Sequence, residues 1–290
     1  MNSNVRRLTP LVACALAVGA ASGCSGVLFS GMNALSGDSS LIVTDGVPFD
    51  AANQLFLDVY QPQGVTKAPV VVFFYGGNWR SGERGNYRWV GEALAREGVV
   101  AIVPDYRKFP AVGLDGFMSD AARAVAWASE HAADHGGDPQ RIVLMGHSAG
   151  AQLAALLATD ASWLKPHGIA PKSLCGMVGL AGPYDFLPLT SASLREVFGE
   201  DPAGQQRSQP IRFVDGDEPP MLLLHGAADT TVGQHNTENL EQALKGAGVR
   251  VQTRIYPEVK HVGMLLALSG RFGKDAPVMA DSMAFIRNCP

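Results

Sequence analysis

Three side chains in the sequence have the types and the order needed for nucleophilic catalysis. Ser148 lies in the pattern Gly-His-Ser-Ala-Gly, Asp229 follows the apolar run MLLLHGAA, and His261 follows RIYPEVK. A serine alcohol needs a general base to remove its proton, and the base needs an acid that fixes its tautomer. The order serine, aspartate, histidine along the chain therefore predicts a triad that attacks a carbonyl carbon.

The residues around Ser148 predict a sharp turn between a strand and a helix. The apolar run RIVLM precedes the pattern and the alanine-rich run AQLAALLAT follows it. Gly146 and Gly150 lack a Cβ, so the strand and the helix can approach closely, and the helix N-terminus favours negative charge at the serine. A plain glycine turn with a capping serine is the alternative, and the strand–turn–helix context favours the nucleophile.

Other histidines compete for the role of the base. His225 is still in register with the strand that precedes Asp229, which favours a structural role near the site, and His147 is expected to shape the turn at Ser148. The remaining histidines stand in helix or loop contexts and are predicted to lie on the surface: His131, His135, His167 and His235. His261 follows the last β-rich run and is therefore the predicted base.

Asp185, in AGPYDF, is the alternative acid because it follows an earlier strand. We favour Asp229, since HGAAD ahead of a helix resembles the strand end that usually carries the acid. Asp217 and Glu218 precede that strand and are predicted to lie in a solvated loop.

The loop YGGNW follows the strand-like run VVVFF and is predicted to bind an oxyanion. Gly76 and Gly77 let the backbone approach a substrate with no side chain in the way. The N–H groups of Gly77 and Asn78 are the candidate donors, joined by that of Ala149 after the nucleophile.

Short β-rich runs alternate with helical patterns along most of the chain, which predicts a single α/β domain around a mostly parallel sheet. The run APVVVFFYGG is continuously apolar, as expected for a central strand covered on both faces. In such sheets functional sites collect at the carboxyl ends of the strands. The predicted strands are NQLFLDVYQP, APVVVFFYGG, VVAIVPDYR, RIVLMGHS, SLCGMVGLAG, PPMLLLHGAAD and VRVQTRIYP.

The composition is that of an ordinary globular protein, with 290 residues of which 47% are hydrophobic and 17% charged. The net charge of −4 gives no basic surface and argues against a nucleic-acid partner. Cys175 and Cys289 are either a disulfide, which an exported protein permits, or two free thiols.

The N-terminus is predicted to be a signal peptide over residues 1–23, followed by a tether over residues 24–44. A short basic stretch, MNSNVRR, precedes an apolar run too short to cross a bilayer comfortably. The residues up to Cys24 resemble a bacterial lipobox, although Ala21 stands where leucine is usual. This resemblance implies a lipid anchor on Cys24 and attachment to the outer membrane; ordinary cleavage and secretion are the alternative.

Residues 45–290 resemble an α/β-hydrolase serine carboxylesterase of the hormone-sensitive-lipase-like, feruloyl- and acetyl-xylan-esterase-like branch. The resemblance depends on YGGNW, PDYR, GHSAG, GPYD, HGAAD and KHVGM, in family order. Tyr75 and Asn78 depart from the His-Gly-Gly-Gly common in that branch. The resemblance implies an α/β-hydrolase fold with helices on both faces and a small cap insertion near residues 187–213, with one or two helices.

The implied activity is hydrolysis of small carboxylic esters with short or medium acyl groups, through an acyl-enzyme and without a cofactor or metal ion. Trp79, Phe186 and Met264 are predicted to line the substrate pocket. An arylformamidase-like amide hydrolase and a non-catalytic envelope protein on the same scaffold are the alternatives.

Overall fold

A mixed eight-stranded sheet forms the centre of the molecule. The computed structural model describes residues 29, 31–34, 37–270 and 276–289. The strand order is β1-β2-β4-β3-β5-β6-β7-β8, in which β1 and β2 pair antiparallel to their neighbours and the strands from β3 to β8 run parallel. The bounds are β1 Leu41–Asp50, β2 Leu55–Pro62, β3 Ala68–Phe74, β4 Val100–Pro104, β5 Gly137–His147, β6 Gly176–Leu180, β7 Met221–Gly226 and β8 Val251–Tyr256.

Helices cover both faces of this sheet, which confirms the predicted fold class. The α-helices that follow β1 are α1 Arg88–Arg96, α2 Leu114–His131, α3 Ala149–Thr159, α4 Ala192–Phe198, α5 Pro202–Arg207, α6 His235–Gly246, α7 His261–Leu266 and α8 Val278–Arg287. Single-turn 3-10 helices lie at Arg84–Tyr87, Ala132–His135, Lys165–His167, Pro171–Ser173, Pro210–Phe213 and Ala267–Ser269. The short helices α4 and α5 form the predicted cap insertion.

The central strands are buried on both faces. In β3 the side chains from Val70 to Phe74 are fully shielded from solvent, and β4 and β6 are buried along their whole length. This explains the unbroken apolar runs in the sequence, since a parallel strand between two helical layers has no solvated side.

The N-terminal boundary of the domain differs from the prediction. The edge strand β1 begins at Leu41, inside the segment expected to be a tether, and Phe29 and Met32 already belong to the core. Asn33 is hydrogen-bonded to the backbone of Gly85 and Trp89. Strand β1 is a partly buried edge strand with two irregularities in its register. Its residues therefore lack the regular alternation of apolar and polar side chains by which a strand is predicted from sequence. Residues 1–28, with the predicted signal peptide and Cys24, lie outside the described residues.

The structure joins Cys175 to Cys289 in a disulfide, with their Cα atoms 5.5 Å apart. This bond ties the residue before β6 to the residues after α8, and so fixes the C-terminal helix to the sheet.

Among the helices of the described residues, none is both long enough and apolar enough to cross a membrane.

Candidate active site

Ser148 occupies a strained turn between β5 and α3. Its backbone has φ 56° and ψ −124°, a conformation that residues other than glycine rarely adopt. A Cβ at Gly146 would lie 2.2 Å from the carbonyl oxygen of Gly150, and a Cβ at Gly150 would lie 2.0 Å from that of Phe74. Both positions therefore require glycine, because any side chain would clash with the neighbouring backbone. The turn places Ser148 at the carboxyl end of the sheet.

The structure brings Ser148, His261 and Asp229 into one hydrogen-bonded chain. Nε2 of His261 lies 2.8 Å from Oγ of Ser148, and Nδ1 of His261 lies 2.7 Å from Oδ2 of Asp229. Asp229 follows β7, and His261 is the first residue of α7 after β8. Three strand ends thus supply a hydroxyl, an imidazole and a carboxylate in the order that proton transfer requires.

Asp229 is held as an oriented carboxylate. Its Oδ1 accepts hydrogen bonds from the backbone N–H groups of Thr231 and Val232, at 2.8 and 3.0 Å. Burial pushes the pKa of Asp229 up, but its hydrogen bond to His261, the charge of His261 and these two N–H groups outweigh burial, so its pKa lies below the ordinary value. The ionised acid accepts a hydrogen bond from the Nδ1–H group of His261, which leaves Nε2 free to act as a base toward Ser148.

His147 and His225 are both buried beside this chain in neutral form. Nε2 of His147 donates to the carbonyl oxygen of His261 at 3.0 Å, and burial together with the charge of His261 lowers the pKa of His147 to about 3. His225 is hydrogen-bonded to Thr237 and to the carbonyl of Val232, and burial lowers its pKa as well. Both side chains support the two loops that carry Asp229 and His261.

The alternative acids lie elsewhere. Asp185 accepts a hydrogen bond from Asn239 at 2.7 Å. Exposed Asp217 forms an ion pair with Lys172. For Glu218 the solvated-loop prediction is wrong, because its buried carboxylate accepts two backbone N–H groups of its own loop.

The predicted oxyanion donors lie next to Ser148. Gly77 has φ 130°, and Asn78 has φ 53°, so the chain turns sharply after β3. A Cβ at Gly76 would lie only 3.0 Å from Cβ of Ser148. Within the described part of the chain, no hydrogen bond is found from the N–H groups of Gly77, Asn78 and Ala149 to another residue, as the predicted role requires.

A cavity of about 550 Å³ opens beside Ser148. Trp79 and Phe186 line it as predicted, with Leu187 beside them, and the Trp79 and Phe186 rings stack at 6.1 Å. Met264 does not line the cavity: the residues after His261 form α7 rather than a loop, and α7 packs on β7 with Met264 fully buried.

The BD-FAE family model matches residues 57–244, which is more than half of the chain. The chain belongs to the BD-FAE family. The matched span contains Ser148 and Asp229 and ends before His261, whose position the structure supplies.

Relatives of this BD-FAE protein include named enzymes. Isoprenylcysteine alpha-carbonyl methylesterase of Arabidopsis thaliana is 30% identical over 240 residues, which cover 76% of this chain and 56% of that protein. Kynurenine formamidase of Danio rerio is 27% identical over 230 residues, covering 76% of this chain and 74% of that protein. The chain spans just over half the length of the plant methylesterases that it matches.

Among solved structures, esterase B from Lactobacillus rhamnosis superposes with a TM-score of 0.77, covering 91% of each chain at 20% identity. This likeness confirms the α/β-hydrolase fold that the motifs of the sequence imply.

The cap of this BD-FAE protein is joined to the site by residues that the sequence analysis missed. Buried Gln152, on α3, accepts a hydrogen bond from Nε1 of Trp79 at 3.0 Å and donates to the carbonyl of Ser208 at 2.8 Å. Arg80 forms an ion pair with Glu196 on α4. A glutamine inside the alanine-rich run of α3 is the one local signal for such a role, since a buried amide needs polar partners.

His235 lies on the surface, as predicted. At the start of α6 it also lines the cavity together with Asn236, a position that the sequence did not indicate.

Proposed function

We propose that this BD-FAE protein is a serine hydrolase of carboxylic esters. The observation that carries the proposal is the chain of short contacts from Ser148 through His261 to Asp229, built on a serine with positive φ. Strained backbone at a buried nucleophile beside an open cavity is typical of an active site. The esterase names among its relatives support the same reaction class.

The geometry supports the following mechanism. Ser148 Oγ attacks the ester carbonyl while Nε2 of His261 takes its proton, and Asp229 stabilises the imidazolium. The N–H groups of Gly77, Asn78 and Ala149 donate to the oxyanion of the tetrahedral intermediate. His261 then protonates the departing alcohol, leaving an acyl-Ser148, and water activated by His261 releases the acid.

The cavity favours uncharged substrates of modest size. None of its lining residues is Asp, Glu, Lys or Arg, and the apolar side chains of Trp79, Phe186, Leu187, Leu194 and Val197 form much of its wall. A charged acyl or alcohol group would lose its hydration there without gaining a partner. We therefore assign neutral esters with short or medium acyl groups as the substrates.

The test is a series of p-nitrophenyl esters from acetate to decanoate, measured with purified protein. We expect turnover across the short and medium chains and its loss in Ser148→Ala. Undiminished turnover in Ser148→Ala would contradict the assignment of the nucleophile.

The second candidate is an arylformamidase-like amide hydrolase. The relative named kynurenine formamidase, of which this chain covers 74%, favours it. Relative turnover of N-formylkynurenine and of phenyl acetate by the same preparation separates the two: the esterase proposal predicts a large preference for the ester.

We also propose that the protein is exported, with Cys24 as a lipid-modified residue of the bacterial cell envelope. The basic and apolar N-terminal sequence and the lipobox-like residues before Cys24 support this, and the Cys175–Cys289 disulfide fits an oxidising compartment. Mass spectrometry of the mature N-terminus tests it: a diacylglyceryl group on Cys24 is expected, and a free N-terminus after cleavage elsewhere would contradict it.

A further inference from the structure

Two neighbouring loops are in contact next to the predicted oxyanion donors. We call Tyr75–Ser81, which follows β3, the oxyanion loop, and Asp105–Phe109, which follows β4, the clamp segment. Because β3 and β4 are adjacent parallel strands, both loops leave the same edge of the sheet side by side. The sequence patterns predict no role for the residues of the clamp segment.

The clamp segment holds the backbone of the oxyanion loop on both sides of its donors. Oη of Tyr106 donates to the carbonyl oxygen of Tyr75 at 3.0 Å, and the N–H of Phe109 donates to the carbonyl oxygen of Trp79 at 2.9 Å. Between these two fixed carbonyls lies the turn that carries the predicted donors. Hydrogen bonds from within the loop to the carbonyl of Gly77 close this turn, and the clamp segment anchors its two ends.

A network of side-chain hydrogen bonds holds Tyr75, the first residue of the oxyanion loop. Nζ of Lys108 donates to Oη of Tyr75 at 2.8 Å and to the carbonyl of Tyr106 at 2.6 Å. Oη of Tyr75 in turn donates to Oδ1 of Asp105 at 2.7 Å, and Asp105 is bound by the backbone N–H and the guanidinium of Arg84. Each polar group of this network has a partner, so Tyr75 is held in one position.

Close packing transmits the position of Tyr75 to the nucleophile. The Tyr75 ring is fully buried and stacks on Tyr87 at 4.8 Å and on Tyr106 at 5.0 Å. The next residue, Gly76, has no room for a Cβ because Ser148 is in contact with it. A shift of the tyrosine would therefore move the peptides beside Ser148.

We infer that Tyr106 and Lys108 are positioning residues that orient the N–H groups of Gly77 and Asn78 toward the oxyanion. This inference rests on the proposed hydrolase function. An oxyanion exists in the transition state and not in the bound ester, so misaligned donors lower kcat and leave KM nearly unchanged. Complete loss of one donor costs about a hundred- to a thousand-fold in rate, and misalignment should cost less.

The experiment compares Tyr106→Phe and Lys108→Met with the wild-type protein on p-nitrophenyl butyrate. We expect kcat to fall about 10- to 100-fold in each, with KM within about twofold, because a hydrogen bond to the loop is lost while the cavity is intact. Lys108→Arg keeps a cation and a donor and should recover part of the loss. Tyr60→Phe is the matched control: Tyr60 is equally buried, but its hydroxyl has no hydrogen-bond partner among the described residues.

A second measurement reports on the donors directly. An alkyl trifluoromethyl ketone forms a tetrahedral oxyanion adduct with the nucleophile, so its Ki should rise in each variant by a factor similar to the fall in kcat. Thermal unfolding shows which variants are folded. Because the two variants break different hydrogen bonds to the same loop, either folded variant decides the test.

Wild-type kcat and Ki in folded Tyr106→Phe or in folded Lys108→Met would overturn the inference for that residue, as would a rise in KM with kcat unchanged. These outcomes leave the proposed function intact. A folded wild-type protein without ester turnover would overturn the proposed function itself, and this inference with it.

Discussion

The turn at Ser148 and the substrate cavity adjoin each other but are built by different kinds of contact. The turn is determined by a few neighbouring residues. Positions 146 and 150 accept only glycine, because a Cβ there would clash with the backbone of α3 or of the chain around Phe74. The cavity is assembled from segments far apart in the chain, from Asn78 after β3 to Asn236 on α6, with α4 of the cap between them.

This difference implies that the turn and its triad determine the rate of reaction, whereas the cavity determines which substrates are preferred. The triad contacts the reacting atoms of any ester, so damage there should lower turnover of all substrates alike. The cavity contacts the parts of the substrate that do not react, so changes there should alter the ranking of substrates. Substitutions in the triad and in the cavity should therefore have separable effects on turnover and on substrate preference.

Asp229→Asn should lower kcat by about 10⁴-fold for every ester, because the neutral amide no longer holds His261 in the tautomer that accepts the serine proton. The ratio of acetate to octanoate turnover should stay constant. Asp185→Asn is the matched control, since Asp185 is bound to Asn239 and should lose little activity. A larger loss in Asp185→Asn than in Asp229→Asn would reassign the acid.

Leu194→Trp should lower kcat/KM for p-nitrophenyl octanoate about 10- to 100-fold and change the acetate value by less than about threefold. Leu194 lines the cavity from α4, and a larger ring there excludes acyl methylenes that each contribute about 0.8 kcal/mol on burial. Steady-state kinetics on the two esters provide the measurement. An equal loss on both esters would show that the cavity and the triad are not separable.

His147→Gln should change how stability depends on pH. His147 has a pKa of about 3 in the folded protein and an ordinary value near 6.5 when unfolded. Between these values the unfolded chain binds the extra proton, so the free energy of unfolding falls as pH falls from about 6.5.

The glutamine variant lacks this titration, while His225 and Asp229 titrate in both proteins. The wild-type free energy of unfolding should therefore fall more steeply than that of His147→Gln, by about 1.4 kcal/mol per pH unit below pH 6. Urea unfolding at pH 7, 6, 5 and 4 provides the measurement. Equal slopes would mean that His147 is not buried in neutral form.

The smallest effect is expected at the link between the oxyanion loop and the cap. Arg80→Met removes an ion pair to Glu196, whose side chain is 60% exposed, so the pair contributes at most about 1 kcal/mol. We expect KM for octanoate to rise about two- to fivefold with kcat for acetate unchanged. Glu196→Gln should reproduce the effect, and a tenfold loss on acetate would place Arg80 in the catalytic machinery instead.

The sequence predicted the parts of the site that depend on strand ends and short-range sterics. Ser148 and Asp229 each follow a strand whose apolar run is visible in the sequence, and His261 follows the β-rich run VRVQTRIYP. The order of the three residues along the chain then indicates which acid and which base serve Ser148. Met264 was misplaced because a six-residue helix begins at His261, and nothing in KHVGM distinguishes such a helix from a loop.

Other features depend on contacts between distant segments. Gln152 reaches both Trp79 and Ser208, and His235 enters the cavity because α6 begins beside it. The edge strand β1 was missed because most of its residues are only partly buried and its register is irregular. Such features require the packing of the whole domain, which residue patterns in one sequence do not reveal.

The most direct test of the account is covalent labelling of the nucleophile. The protein is treated with a fluorophosphonate at neutral pH, and the modified peptide is mapped by mass spectrometry. We predict one adduct per chain, on Ser148, that is absent in Ser148→Ala and forms far more slowly in His261→Asn. Adduct formation at another serine, or ester turnover by a folded protein that remains unlabelled at Ser148, would contradict the central claim.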